Sequence, residues 1–136
     1  MERLTGHCLC GAVTVRVTDP SPEVGLCHCD ACRRWTGAAY AAIDVPADRT
    51  TVDGPVRTYR HTPFSTRAFC EVCGSPVWLR DDDSDDIELM AGLFDGARDF
   101  ALRSQVYADR QPAWLPIAGD HRRTTAAEYE AESRHV

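Results

Sequence analysis

Three clusters of cysteine, Cys8-Leu9-Cys10, Cys27-His28-Cys29-Asp30-Ala31-Cys32 and Cys70-Glu71-Val72-Cys73, constrain this chain more than any other feature. Seven cysteines in 136 residues call for a common explanation. The count is odd, and close pairs such as Cys8 with Cys10 and Cys27 with Cys29 are badly placed to bridge each other, although their thiolates can converge on one ion. The chain opens Met-Glu-Arg-Leu, without the basic-then-apolar run of a secretory signal. It also lacks any apolar stretch near the roughly 18 residues that a membrane span needs. These features predict a cytoplasmic protein with no membrane association, and in a reducing compartment metal binding explains the cysteines better than a disulfide framework.

Structural zinc takes four protein ligands in a tetrahedron, whereas catalytic zinc takes three and keeps a fourth position for water or substrate. Seven thiolates therefore suit two zinc ions per chain, one closed and one open. The middle cluster is the only local run of three. That favours Cys27, Cys29 and Cys32 at the open ion, with Cys8, Cys10, Cys70 and Cys73 sharing the closed one. Spacing alone also allows Cys8, Cys10, Cys27 and Cys29 to form one site and Cys32, Cys70 and Cys73 another, and His7 or His28 could complete either.

Period-two alternation through Gly11 to Thr18 predicts a strand buried on one face. Val24 to Cys29, Ala38 to Val45, Arg67 to Cys70, Pro76 to Leu79, Ile87 to Leu93 and Phe100 to Tyr107 add further strands. Asp53-Gly54-Pro55 is a hairpin-type turn signal between two weak strands, Thr51-Val52 and Val56 to Arg60. Asp30 to Trp35 offers about one helical turn with Asp30 as its N-cap. The acidic run from Asp81 to Asp86 lacks the spaced ligands and glycine of a calcium loop and reads as a solvated turn. The expected architecture is one mostly β, antiparallel domain with little helix over residues 1–121. A tail, 122–136, follows, in which Thr124 to Ser133 has helix composition.

At this point the chain closely resembles the family of glutathione-dependent formaldehyde-activating enzymes, which also includes the domain of centromere protein V. The resemblance is carried by Gly6-His7-Cys8-Leu9-Cys10-Gly11, by Cys27-His28-Cys29-Asp30-Ala31-Cys32-Arg33-Arg34 and by Arg67-Ala68-Phe69-Cys70-Glu71-Val72-Cys73-Gly74-Ser75-Pro76, with supporting matches to Pro112-Ala113-Trp114. It implies an all-β "tent" of antiparallel sheets stapled by a structural zinc. It also implies Cys8, Cys10, Cys70 and Cys73 at that ion, and Cys27, Cys29 and Cys32 at a catalytic one.

A divalent ion held by three thiolates carries a net negative charge, so it is a weak Lewis acid suited to sulfur chemistry: an incoming thiol becomes a nucleophilic thiolate at neutral pH. The resemblance implies a carbon-sulfur lyase that adds glutathione to formaldehyde, or runs that addition backwards. Glutathione carries carboxylates, and Arg33 and Arg34 are candidates to hold them, although both also read as solvent-facing charges on a short helix. Arg67 is similarly ambiguous. His28 is a candidate proton shuttle or substrate contact; on a strand it points away from the flanking cysteines, which favours packing. Trp35, Tyr40, Trp78 and Trp114 read as packing aromatics. The net charge of −6 argues against nucleic acid as a partner. The alternative reading is a non-enzymatic zinc scaffold or protein-interaction domain, which the place of centromere protein V in the family allows. The sequence does not specify an oligomeric state.

Overall fold

Alternating apolar residues give this chain two sheets whose buried faces meet in one core. The structure is a computed structural model that describes residues 2–132. The smaller sheet has the order β1-β2-β5, built from Arg3–His7 (β1), Thr14–Thr18 (β2) and Thr50–Asp53 (β5). Val15 and Val17 of β2 are buried while Thr14 and Arg16 are exposed, the one-sided alternation that the sequence announces.

The larger sheet has eight strands in the order β11-β10-β3-β4-β9-β8-β7-β6. They are Glu23–Cys27 (β3), Tyr40–Pro46 (β4), Val56–Thr62 (β6), Ser65–Cys70 (β7), Pro76–Asp81 (β8), Asp86–Met90 (β9), Ala101–Val106 (β10) and Arg122–Thr124 (β11). Ile43, Val45, Val77 and Leu89 from this sheet join Leu4, Val15 and Val17 from the smaller one in a single buried cluster. The domain is mostly β, as expected, and its pairings are antiparallel except that β10 runs parallel to both β3 and β11. Two short helices, Asp30–Thr36 (α1) and Ala126–Glu132 (α2), complete the regular structure. Residues 122–124 thus join the sheet edge, and the expected tail helix begins at Ala126; its last expected residue, Ser133, lies outside the described residues, as does the rest of the tail. Among the described residues no helix is long and apolar enough to cross a membrane.

Three local readings change. Asp53-Gly54-Pro55 does turn the chain, but it carries it from one sheet to the other: β5 pairs with β2, and β6 pairs with β7. Pro55 has no amide to offer a ladder. Gly54 takes φ 115°, and a Cβ there would lie 2.2 Å from the Ala12 carbonyl oxygen, so the close crossing requires glycine. The strand expected through Leu93 stops at Met90 and turns into a short 3-10 segment, Ala91–Leu93. Helix α1 is capped by Cys29 rather than Asp30: its sulfur accepts from the Cys32 amide at 3.4 Å, leaving Asp30 in the first turn, where its negative charge favours the helix dipole. The acidic run forms the turn between β8 and β9.

Register places the chemistry on one face of the large sheet. Cys27 pairs with Tyr40, Asp44 with Glu88, Glu88 with Leu79, Leu79 with Arg67 and Arg67 with Tyr59. Paired residues share a face, and Tyr40 and Asp44 share one by alternation. Cys27, Tyr40, Glu88, Arg67 and Tyr59 therefore come to the same side from five strands.

Candidate metal centres and the cavities beside them

The seven thiols are all unbridged, and they gather into two groups. The sulfurs of Cys8, Cys10, Cys70 and Cys73 lie within 4.8 Å of one another, and so do those of Cys27, Cys29 and Cys32. Among the described residues no histidine nitrogen joins either group. Of the groupings that spacing left open, the geometry thus adopts the one that separates the middle cluster.

The group of four comes from two turns. Cys8 and Cys10 follow β1, while Cys70 ends β7 and Cys73 lies in the turn before β8. Four sulfurs held tetrahedrally at the zinc–thiolate distance of roughly 2.3 Å stand about 3.8 Å apart. Cys8 Sγ to Cys10 Sγ is 3.7 Å and Cys10 Sγ to Cys70 Sγ is 3.9 Å, so the cage has the right size for such an ion. Backbone amides turn toward the sulfurs: Val13 donates to Cys8 at 3.3 Å, Ala12 to Cys10 at 3.5 Å and Val72 to Cys70 at 3.4 Å. Contacts with the Ser75 hydroxyl and backbone hold the Cys73 thiol down at about 5, in its metal-ready charged form. His7 is exposed and donates to the Cys8 carbonyl at 2.7 Å.

The group of three sits where β3 runs into α1, so one short segment positions all its sulfurs. Cys27 is held far above the ordinary thiol range by its contacts with Cys29 and Cys32. The same contacts, first with Cys27 and then with Cys32, pull Cys29 down to about 2. Crowded thiols thus share charge unequally, and a cation among them relieves the conflict by letting each ionise. The donor set suits a thiophilic ion with three protein ligands and an open fourth position.

Arg67 adds a fixed positive charge. It is 8% exposed, its guanidinium nitrogens stand 3.6 and 3.7 Å from Cys32 Sγ, and its carbon lies 5.0 Å from the Trp35 ring centroid. Arg67 also forms the buried side of a cavity of about 370 Å³ completed by Arg34, Trp35, Tyr59 and His61 together with Asp30 and Ala31. Of the two arginines that follow Cys32, Arg34 therefore reaches this cavity, whereas Arg33 turns back to Asp30 at 3.1 Å. His28 is buried; its Nε2 lies 2.8 Å from the Gln105 side-chain amide, and burial lowers its pKa.

A second cavity, about 210 Å³, lies on the Cys27 side, with Tyr40, Asp44, Glu88 and Arg103 in its walls. Tyr40 donates to Glu88 Oε1 at 2.6 Å. Burial, then the neighbouring Asp44 charge, raises the Glu88 carboxyl to about 7. Glu88 escapes sequence reasoning because an isolated acid between Ile87 and Leu89 looks like an ordinary outward strand residue, and nothing local links it to Tyr40, 48 positions away.

Comparison with known proteins bears on the fold and the family. A solved protein of Rhodobacter sphaeroides shares the fold, with a TM-score of 0.59 and 21% identity over 73% of this chain and 99% of its own. An uncharacterized lyase of Schizosaccharomyces pombe is 26% identical over 114 residues, 82% of this chain and 83% of that protein. A Halomonas elongata protein, named provisionally as a glutathione-dependent formaldehyde-activating enzyme, is 30% identical over 96% of this chain and 90% of its own length. The sequence profile of the family described as glutathione-dependent formaldehyde-activating enzyme matches residues 3–110, which include all three cysteine clusters. On that match, the chain belongs to the glutathione-dependent formaldehyde-activating enzyme family.

Proposed function

We propose that the chain binds zinc at both cysteine groups and uses the ion at Cys27, Cys29 and Cys32 to add a thiol of the glutathione type to a small aldehyde such as formaldehyde, or to reverse that addition. The observation that carries this reading is a group of three convergent thiols, joined among the described residues by no fourth metal-binding side chain, beside a cavity with two arginines in its wall. Zinc bound there supplies a positive centre that holds an incoming sulfur as its thiolate at neutral pH. The names of the relatives point to the same reaction class.

The chain's own residues supply position and charge. Three thiolates outweigh one divalent ion, and the buried Arg67 guanidinium beside Cys32 offsets the excess. Arg34, exposed at the cavity's edge, is placed to take a carboxylate of the peptide thiol, with Tyr59 and His61 across from it. Orienting the thiol in this way turns its meeting with the aldehyde into an encounter of fixed geometry, which is the part of an intrinsically easy addition that a protein can accelerate.

Cys32→Ser tests the reading. The variant is expected to retain one zinc instead of two and to lose the rise in melting temperature that glutathione gives the zinc-loaded protein. Two retained ions, or a glutathione effect undiminished by the substitution, would count against it.

A further inference from the structure

We propose that Tyr40 and Glu88 form a proton relay on the Cys27 side of the site, with the Tyr40 hydroxyl touching the aldehyde oxygen and Glu88 holding the proton in transit. This rests on the thiol-addition reading above. Two cavities flank the three thiols, and they differ in size and chemistry. The larger, of about 370 Å³, carries Arg34 and Arg67 and suits the charged body of a peptide thiol. The smaller, of about 210 Å³, falls below the roughly 300 Å³ of ordinary drug-sized ligand sites and suits a small carbonyl compound. Cys27 lies in the wall of the smaller one, and so do Tyr40 and Glu88.

The pair is not explained by packing alone. Tyr40 is 2% exposed and needs an acceptor for its hydroxyl, and the fold supplies one at 2.6 Å in the carboxylate of Glu88, a half-buried acid on the neighbouring face of the cavity rather than a neutral carbonyl. The arginine of the same cavity, Arg103, is occupied by Asp44 at 2.9 Å, and the Glu88 carboxylate is held by the Tyr40 hydroxyl. A carboxyl whose proton affinity is raised to about 7 can both take up and release a proton near neutral pH, as a relay requires.

The chemistry needs such a carrier. As the thiol adds to the aldehyde, the S–H bond breaks, a C–S bond forms and the C=O π pair moves onto oxygen, which must gain a proton. The proton lost by sulfur is the proton gained by oxygen. Tyr40 accepts it while donating its own to Glu88; when the carbonyl oxygen becomes basic, Glu88 returns a proton to Tyr40 as Tyr40 donates to that oxygen. Charge and hydrogen count are restored without an added reactant, and the same path serves the reverse reaction.

The test uses the zinc-loaded full chain, with adduct formation from glutathione and formaldehyde followed by NMR exchange. Tyr40→Phe is expected to lower kcat by about 10²-fold, the lower range for general acid–base catalysis, with little change in KM for glutathione. Glu88→Gln, which keeps an acceptor for the tyrosine, is expected to lower kcat similarly, and the double variant to be no slower than Tyr40→Phe. An active parent whose Tyr40→Phe variant keeps its kcat, or a double variant whose losses multiply, overturns the relay and leaves the proposed function standing. A parent that gives no acceleration over the uncatalysed addition overturns both. If Tyr40→Phe does not fold with both metals bound, Glu88→Gln decides alone: an undiminished kcat overturns the relay, and a lowered kcat at unchanged KM supports it.

Discussion

A carboxyl lodged between strands, as Glu88 is, works against the fold whenever it ionises. Burial and the charge of Asp44 raise it from 4.5 to about 7, so between those values the folded chain binds more protons than the unfolded chain. Stability from this group therefore falls as pH rises through that window and stays lowered above it. Glu88→Gln cannot ionise and escapes the loss. The variant is expected to gain on the parent by about 1 kcal/mol between pH ~5.5 and pH ~8, below the roughly 2 kcal/mol that the part of the window above pH ~5.5 implies in full, because the adjoining cavity admits water. Urea unfolding of both zinc-loaded proteins at the two pH values checks this, and parallel behaviour would mean that Glu88 titrates as an ordinary carboxyl. Other residues near the sulfurs differ in how far their neighbours could be foreseen. The sulfur of Cys29 caps the same helix that carries Cys32, so local sequence does define that geometry. Arg67 reaches Cys32 from β7, 35 positions away, and only sheet register brings them together.

At the scale of elements, the group of four thiols joins two turns from different sheets. Cys10 and Cys70 are 60 positions apart, and Leu9 donates to the Ser75 hydroxyl at 3.0 Å across the same junction. Closing so long a loop is costly without a tie, and metal binding there becomes folding energy. Cys73→Ser is expected to release the closed ion and to speed amide exchange in both turns, residues 8–13 and 70–76, while β3, β4 and β9 stay protected. Faster exchange in the mutated turn alone would show that the two turns do not depend on each other. The strands with clean alternation or a strong apolar run, β2, β4 and β9 among them, were legible in the sequence. β1 was not: Arg-Leu-Thr-Gly-His shows one buried apolar residue, Leu4, and forms its ladder by following β2. The Asp53-Gly54-Pro55 turn was legible as a turn but not as a crossover, because partner choice depends on edges that the local sequence does not describe.

The whole molecule sets two thiol groups of unlike character on one frame: four that draw together turns from the two sheets, and three at the end of a strand between two cavities. The count and clustering of the cysteines favoured this division in the sequence without excluding another, and the family resemblance implied it, whereas the cavities arise from strand order and register across eight strands. The central claim is that the three-thiol group holds its ion with a position free for an outside thiol. Cadmium NMR of protein loaded with cadmium in place of zinc addresses it most directly, since the chemical shift of cadmium responds to each sulfur bound. The account predicts two resonances, of which glutathione moves the one lost in Cys32→Ser and leaves the other in place. A single resonance, or two that glutathione leaves unmoved, would contradict it.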